Sequence, residues 1–222
     1  MTGCNRGAIM LVTQTYIYLA SRSPRRRELL HQIGVDHELM LFRSNPPRER
    51  DVSEDPLEGE KPRDYVTRLA CAKAETGWMR LQMRKLSERA VLAADTTVCL
   101  GDEILGTPAD TAEAIDYLSR LSGREHEVLT AVALKFQDRM ETRLSASTVR
   151  FRTLEAAEIE RYAASGEPLD KAGAYGIQGH AAVFISEIRG SYSGVMGLPL
   201  FETAQLLQRF GFGFNPDRRR RD

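Results

Sequence analysis

The sequence predicts an α/β protein in which a mixed β-sheet carries helices on its faces. Three observations lead to this fold class. Apolar, β-type segments alternate with helical segments along most of the 222 residues. Two of the β-type segments are long and consecutive, which predicts antiparallel neighbours. The chain is also long enough for one large domain or for two small lobes that share a cleft.

The N-terminal part predicts a strand, a tight turn and a helix. Residues 16–20 form the first β-type segment, and Ser23 with Pro24 supplies an N-cap and a proline at the first helical position. The helix is expected to end at Gly34, before a second strand at residues 35–42. A long polar loop with several prolines follows, and such a loop is typical of a functional flap or a disordered insert.

The middle of the chain contains the most apolar strand. A helix is predicted at residues 64–88 from its apolar spacing. Residues 90–100 are then almost continuously apolar, with Asp95 as their one charge. A turn leads to a short strand at residues 103–105, and a capped helix follows at residues 111–121.

The C-terminal part predicts two long strands and then alternating elements. The two strands cover residues 127–136 and 143–151. They are followed by a helix at residues 155–164, a last strand at 181–188 and a closing helix at 200–210. No internal repeat is visible in the sequence. Outside the folded part, an N-terminal extension is predicted at residues 1–14 and a basic tail at 213–222, which leaves 15–212 as a single domain.

Composition excludes several functional classes. Lys and Arg number 31, as do Asp and Glu, so the chain lacks the positive field of a general nucleic-acid binder. No apolar run approaches the roughly 18 to 20 residues that span a bilayer. The three cysteines show no CxxC spacing. These features predict a cytoplasmic protein with no membrane contact, no stable nucleic-acid partner and, at most, a small polyanionic ligand.

The turn after the first strand is a candidate anion site. Residues 20–26 read ASRSPRR, so a strand feeds directly into a helix start beside several arginines. Free main-chain N–H groups and the helix dipole favour an anion there, and guanidinium groups add paired donors for phosphate oxygens. The competing interpretation is a capped surface helix with solvated arginines.

Asp95 is the best single candidate for catalysis. It interrupts a buried strand in the sequence Ala-Ala-Asp-Thr-Thr, where a carboxylate is costly unless it is paired, bound to a metal, or exposed in a cleft at the strand end. The competing interpretation is a carboxylate that caps a turn.

A third candidate segment lies at residues 170–179, which read DKAGAYGIQG. Its glycines allow the backbone to approach a ligand, and the amide of Gln178 offers a donor and an acceptor together. An ordinary glycine-rich turn has a similar composition, so this segment is weak evidence by itself.

Together these three segments resemble the Maf family of nucleoside triphosphate pyrophosphatases, with a likeness that extends over residues 18–210. The resemblance implies an α/β fold with a central elongated mixed sheet and two lobes around a cleft, as in ITP pyrophosphatases. Residues 15–212 would then be the catalytic domain. Family members hydrolyse the bond between the α and β phosphates with a divalent cation, Mg²⁺ or Mn²⁺, and a homodimer is the family's expected assembly.

The resemblance also implies a substrate. Residues 170–179 look like the branch of the family that acts on dTTP and UTP, and the residues that discriminate bases fall on Arg25, Thr96 and Gln178. The sister branch, which acts on 7-methyl-GTP, differs in this region and remains an alternative. A second alternative is a nucleotide-binding regulator of septum formation that does not turn its ligand over.

Catalytic roles are carried over in the same way. Asp95 falls on the family's proton acceptor. Phosphate binding falls on Ser21, Arg26 and Lys73, and a metal would be held by Asp95 and Glu54. Whether Asp95 acts chiefly as base or as metal ligand stays open.

Two departures from the family pattern affect the phosphate site. The family commonly has Gly-Lys-Pro where this chain has Thr107 between Gly106 and Pro108, so a lysine near the phosphates is missing. Arg124 and Lys171 are the candidate substitutes. Arg22 also stands where the family has a small residue between the two serines.

Overall fold

The computed structural model describes residues 16–41 and 52–212, and the predicted extension at 1–14 and tail at 213–222 lie outside these ranges. The elements in chain order are β1 (Tyr16–Leu19), α1 (Pro24–Gln32), β2 (Asp36–Leu39), α2 (Pro62–Met83), β3 (Val91–Leu100), β4 (Glu103–Leu105), α3 (Thr111–Leu121), β5 (Glu125–Phe136), β6 (Arg139–Phe151), α4 (Ala156–Ala164), β7 (Ile185–Arg189), α5 (Tyr192–Met196) and α6 (Leu200–Arg209).

The strands form one seven-stranded mixed sheet. Its order is β2-β1-β3-β5-β6-β7, and β4 pairs with β3 outside this path. Strand β1 runs parallel to β2 and β3, whereas all other pairs are antiparallel. The predicted α/β class with a mixed sheet and flanking helices is confirmed.

One edge of β3 is divided between two partners. Strand β1 pairs with Val91 and Leu92 on this edge, and β4 pairs with Val98, Cys99 and Leu100. Within the described ranges, residues 93–97 therefore have no strand partner there, although β5 pairs with them on the opposite edge. The resulting gap leaves main-chain groups of β3 free to meet side chains.

Helix α2 covers one face of the sheet. Its buried residues, which include Leu69 and Trp78, pack against Ala93 of β3. Because side chains alternate along a strand, Asp95 lies on this face and Thr96 on the other.

The opposite face carries two separate helix groups. Helices α1 and α6 pack on the end of β3 that contains Ala94, through residues such as Leu30 and Leu206. Helices α3 and α4 pack around Val98 and Phe151. Thr96 falls between these two groups, which form two walls of a cleft. No helix in the described ranges combines the length and apolarity that crossing a bilayer needs.

The last predicted strand is partly wrong. Residues 180–184 form a 3₁₀ helix, and β7 begins only at Ile185. Ala181 and Phe184 are both buried in the cluster of α3 and α4, and their spacing of three matches the 3₁₀ repeat better than the strand repeat of two. The short helix α5 was not predicted.

His126 on β5 lies inside the same cluster. It is 3% exposed, and its Nε2 lies 2.7 Å from the hydroxyl of Tyr175. Phe151 packs edge-on against both rings. Burial lowers the pKa of His126 to about 4, so the imidazole is neutral at neutral pH.

This shift predicts an acid-sensitive contribution to stability. Between pH 6.5 and pH 4.5 the unfolded chain binds a proton at His126 that the folded chain excludes, so stability falls as pH falls. The expected loss from this residue is roughly 2 to 3 kcal/mol. Urea unfolding at both pH values should show a smaller pH effect for His126→Gln than for wild type. His31→Gln, at an exposed position, is the control, and an unchanged pH effect in His126→Gln would contradict the assignment.

Candidate active site

The turn between β1 and α1 is closed by Ser21. Its side chain is largely buried, and its Oγ accepts a hydrogen bond from the main-chain N–H of Ser23 at 3.1 Å. Ser23 occupies the predicted N-cap position, but its own side chain makes no capping hydrogen bond. The first helical position is Pro24, which has no N–H to satisfy. Ser21 therefore shapes the turn as well as lining the cleft.

Arg26 fills the gap along β3. Its guanidinium donates to the carbonyl of Gly197 at 2.7 Å, to the carbonyl of Ala94 at 2.7 Å and to Thr96 Oγ1 at 3.2 Å. Burial lowers the pKa of Arg26, and the nearby charge of Asp95 acts against this shift. The side chain thus joins three segments that are distant in sequence and fixes a positive charge at the base of the cleft.

Asp95 lies on β3 within the unpaired stretch. It is 7% exposed and faces α2, where Lys73 Nζ donates to its Oδ1 at 2.6 Å. Among the described residues, no other hydrogen bond to this carboxylate is formed. The predicted buried-strand carboxylate is therefore paired, lies at the cleft and does not face bulk solvent.

Glu54 approaches the same point from the polar loop. Its Oε1 lies 2.6 Å from Lys73 Nζ. The Tyr65 hydroxyl donates to the main-chain carbonyl of Glu54 at 2.8 Å, which ties the loop to α2. The carboxylates of Asp95 and Glu54 thus converge on one ammonium group.

This convergence fits a divalent cation. Mg²⁺ is usually held by one or two carboxylates, with waters and substrate phosphates completing its shell. In the described ranges no group of three or more His, Cys, Asp or Glu side chains is arranged for a metal. Asp95 and Glu54, which approach each other around Lys73, are the two carboxylates that would hold such an ion.

The predicted specificity residues enter the same cleft from different elements. Arg25 at the start of α1 lies 3.8 Å from Asp170 across the cleft, and Gln178 is exposed on the glycine-rich loop. Thr96 accepts from Arg26, and its Oγ1 lies 3.0 Å from Thr130 Oγ1. Thr96 is thereby linked to the arginine that closes the gap in the sheet.

All eight predicted site residues line one cleft of about 830 Å³. This volume is in the range of small-molecule sites, which is about 300–1,000 Å³. The residues are Ser21, Arg25, Arg26, Glu54, Lys73, Asp95, Thr96 and Gln178. Their individual roles remain predictions.

Known proteins are similar to this chain over most of its length. The family model described as Maf-like protein matches residues 16–210. The chain belongs to the Maf family. A relative from Aromatoleum aromaticum named dTTP/UTP pyrophosphatase is 60% identical, over 90% of this chain and 97% of its own length. One with the same name from Nitrosomonas europaea is 58% identical, over 88% and 94% respectively.

A solved structure was also found by comparison of folds. The Staphylococcus aureus Ham1 protein aligns over 88% of this chain and 97% of its own with a TM-score of 0.40 and 15% identity.

This Maf protein carries cleft residues that sequence reasoning did not single out. Thr97 is 1% exposed, lines the cleft, and its hydroxyl has no partner within the described ranges. Its position directly after Asp95 and Thr96 is the sequence feature that could have identified it as a cleft residue. Tyr65 was placed only as an apolar helix residue, because its hydrogen bond to the loop is not visible in a helical pattern.

Thr107 stands where the family commonly has a lysine, and two basic residues are the candidate substitutes. Thr107 lines the cleft, as does Lys171, whereas Arg124 is absent from the lining. Lys171 Nζ donates to the Glu167 carbonyl and to Asp170 Oδ1, each at 2.6 Å. Of the two candidate substitutes, only Lys171 reaches this Maf cleft, and its ammonium is already engaged.

Proposed function

We propose that the chain hydrolyses dTTP and UTP to the nucleoside monophosphate and pyrophosphate, with Mg²⁺ or Mn²⁺ as cofactor. The observation that carries this proposal is the meeting of Asp95, Lys73 and Arg26 with the glycine-rich loop in one cleft. The name shared by relatives at 60% and 58% identity supports the substrate. Pyrophosphatases of the Maf family generally depend on a metal.

Asp95 is the proposed proton acceptor. Lys73 binds one carboxylate oxygen and so orients the group, while the second oxygen remains able to accept a proton from an attacking water. A divalent cation supplies neutralisation of phosphate charge when it is bound at Asp95 and Glu54. Water activation by the carboxylate and charge neutralisation together favour in-line attack on the α-phosphorus.

Ser21, Arg26 and Lys73 are the proposed phosphate ligands. A guanidinium has five N–H donors, and the bonds of Arg26 to Gly197, Ala94, Thr96 and Ser21 engage four of them. The remaining Nη2 donor is available to a phosphate oxygen. Because the cleft excludes part of the solvent, these charges act on the substrate more strongly than surface charges do.

Gln178 is the proposed base reader. Uracil and thymine present a carbonyl acceptor next to an N–H donor, which a primary amide matches with its own donor and acceptor. Hydrogen-bonding sites of this kind discriminate strongly, because a base with the wrong pattern leaves buried groups unpaired. Arg25 and Thr96 complete the set that the proposal assigns to specificity.

The proposal also covers the protein's setting. Residues 15–212 act as one catalytic domain, in the cytoplasm and as a homodimer. The free thiols of Cys71 and Cys99 are compatible with a reducing compartment.

A substrate panel tests the proposed function. Pyrophosphate release is measured from dTTP, UTP, CTP, GTP and 7-methyl-GTP, with Mg²⁺, with Mn²⁺ and with a chelator. The expected result is metal-dependent turnover that is highest for dTTP and UTP. Strongest turnover of 7-methyl-GTP would move the protein to the sister branch, and saturable binding without any turnover would indicate a regulator.

Gln178→Ala tests the base reader. The variant is expected to lose about 10- to 100-fold in kcat/KM for dTTP and UTP, the cost of a buried hydrogen bond left unmade. The kcat/KM for CTP should fall much less, so the UTP-to-CTP ratio decreases. Gln205→Ala, at an exposed position on α6, is the matched control. An unchanged ratio in Gln178→Ala would exclude Gln178 as the base reader.

A further inference from the structure

The carboxylate of Glu167 lies inside the loop that presents Gln178. Its Oε1 accepts from the Tyr162 hydroxyl at 3.0 Å, and its Oε2 accepts from the main-chain N–H of His180 at 3.2 Å. His180 Nδ1 lies 2.7 Å from the same Oε2. The carboxylate therefore connects α4 to the C-terminal end of the loop.

The loop packs closely on this carboxylate at Gly179. A Cβ on Gly179 would lie 1.9 Å from Glu167 Oε1, so the glycine α-carbon packs directly on the carboxylate. Gly179 directly follows Gln178, which means that the position of the carboxylate limits the path of the backbone that carries the amide.

The N-terminal end of the loop is tied to the same residue. Lys171 Nζ donates to the main-chain carbonyl of Glu167 at 2.6 Å. The Lys171 side chain also passes beside Gly176, where an added Cβ would lie 2.7 Å from its Cε. Residue 167 thus holds both ends of the loop, one through its main chain and one through its side chain.

Tyr162, which anchors Glu167 to α4, is buried and packed. Tyr162 is 5% exposed, and its ring packs edge-on against Phe184 at 5.3 Å between centroids. Burial acts to raise the pKa of Glu167, but hydrogen bonds from His180 and Tyr162 outweigh it and lower the pKa. The carboxylate is therefore ionised at neutral pH and accepts hydrogen bonds from the buried Tyr162 and from the main chain of His180.

A primary amide recognises a base only if its orientation is fixed. Rotation by 180° exchanges the donor and acceptor of glutamine, and the exchanged pattern matches cytosine instead of uracil or thymine. Selection between these bases thus requires a backbone that holds Gln178 in one orientation. Within the described ranges the Gln178 amide forms no hydrogen bond that would supply this restraint, whereas the loop on both sides is held by Glu167.

We propose that Glu167 is a positioning residue for base selection: it fixes the loop that carries Gln178 and thereby sets the preference for uracil and thymine over cytosine. This inference rests on the proposed function. Glu167 is not among the residues that line the cleft with Asp95, so its effect is expected on selection and not on the chemical step.

Two variants displace the carboxylate in different ways. Glu167→Ala removes it. Gly179→Ala leaves it in place but introduces a Cβ at its position, and the glycine φ of −101° and ψ of −157° are extended values that alanine adopts. Glu160→Ala, an exposed carboxylate on α4, is the matched control. Thermal unfolding of each variant establishes that it is folded.

The readout is the ratio of kcat/KM for UTP to that for CTP, together with kcat for UTP. Glu167→Ala and Gly179→Ala are each expected to lower the ratio by about 10-fold, with the loss mainly in KM for UTP and with kcat within about 3-fold of wild type. Glu167→Gln, which retains acceptor oxygen at this point, should recover most of the ratio.

The outcomes separate this inference from the function on which it rests. A wild-type protein without dTTP or UTP turnover refutes the proposed function, whatever the variants do. If the wild type prefers UTP, the role of Glu167 is refuted when the variants keep the UTP-to-CTP ratio of kcat/KM. It is also refuted when they lose kcat/KM equally for UTP and CTP. If Glu167→Ala does not fold, the UTP-to-CTP ratio of kcat/KM in Gly179→Ala decides whether Glu167 has the proposed role.

Discussion

Replacing Asp95 by asparagine is expected to lower kcat for dTTP and UTP by about 10² to 10⁴, the usual contribution of a general base. The amide has the size of the carboxylate, and its carbonyl oxygen still accepts from Lys73, so the fold and the cleft should persist. It cannot take a proton from water. Steady-state pyrophosphate release gives kcat, and equilibrium binding of UTP shows whether the substrate is still held.

Asp138→Asn is the matched control for this experiment. Asp138 is exposed at the turn between β5 and β6 and does not line the cleft. Its substitution should leave kcat unchanged. Retention of more than about a third of wild-type kcat by Asp95→Asn would exclude the assigned general-base role, since removal of such a group costs at least about 10²-fold.

Replacing Arg26 by lysine is expected to cost about 100-fold in kcat/KM and roughly 1 to 3 kcal/mol in stability. Lysine keeps the charge but carries one ammonium group, which cannot reach Gly197, Ala94 and Thr96 together. The unfilled acceptors lie in the gap along β3, so both the wall of the cleft and the phosphate ligand are disturbed.

Arg27→Lys separates this effect from a general loss of arginine on α1. Arg27 is the next residue, is exposed and lines no part of the cleft. Activity and urea unfolding of both variants are compared with wild type. Equal kcat/KM for Arg26→Lys and Arg27→Lys would show that the hydrogen bonds of Arg26 do not organise the site.

Most of the fold was predictable because its elements have strong local signals. The strand around Asp95 is a continuous apolar run, and α3 has the expected cap, since Asp110 accepts from the main-chain N–H of Glu113. The 3₁₀ segment at residues 180–184 and the short helix α5 were missed. Their apolar residues are too few to establish a period, and their conformation depends on the surfaces they cover.

The sequence predicted which residues lie together in one cleft, but not the contacts between them. The resemblance named residues from five separate stretches of the chain, and the structure brings them to one cleft. It did not indicate that Lys73 would lie between two carboxylates, or that Arg26 would bond Gly197, 171 positions away. These contacts depend on the strand order and on the divided edge of β3, which local sequence patterns do not encode.

The position of water attack tests the central claim most directly. The account states that water is activated at Asp95 and attacks the α-phosphorus, so hydrolysis of UTP in ¹⁸O-labelled water should place the label in UMP. Mass spectrometry of the products shows which of them carries the ¹⁸O label, and therefore which phosphorus the water attacks. Label in UMP with unlabelled pyrophosphate is the predicted result, whereas label in pyrophosphate, or in orthophosphate released together with UDP, would contradict it.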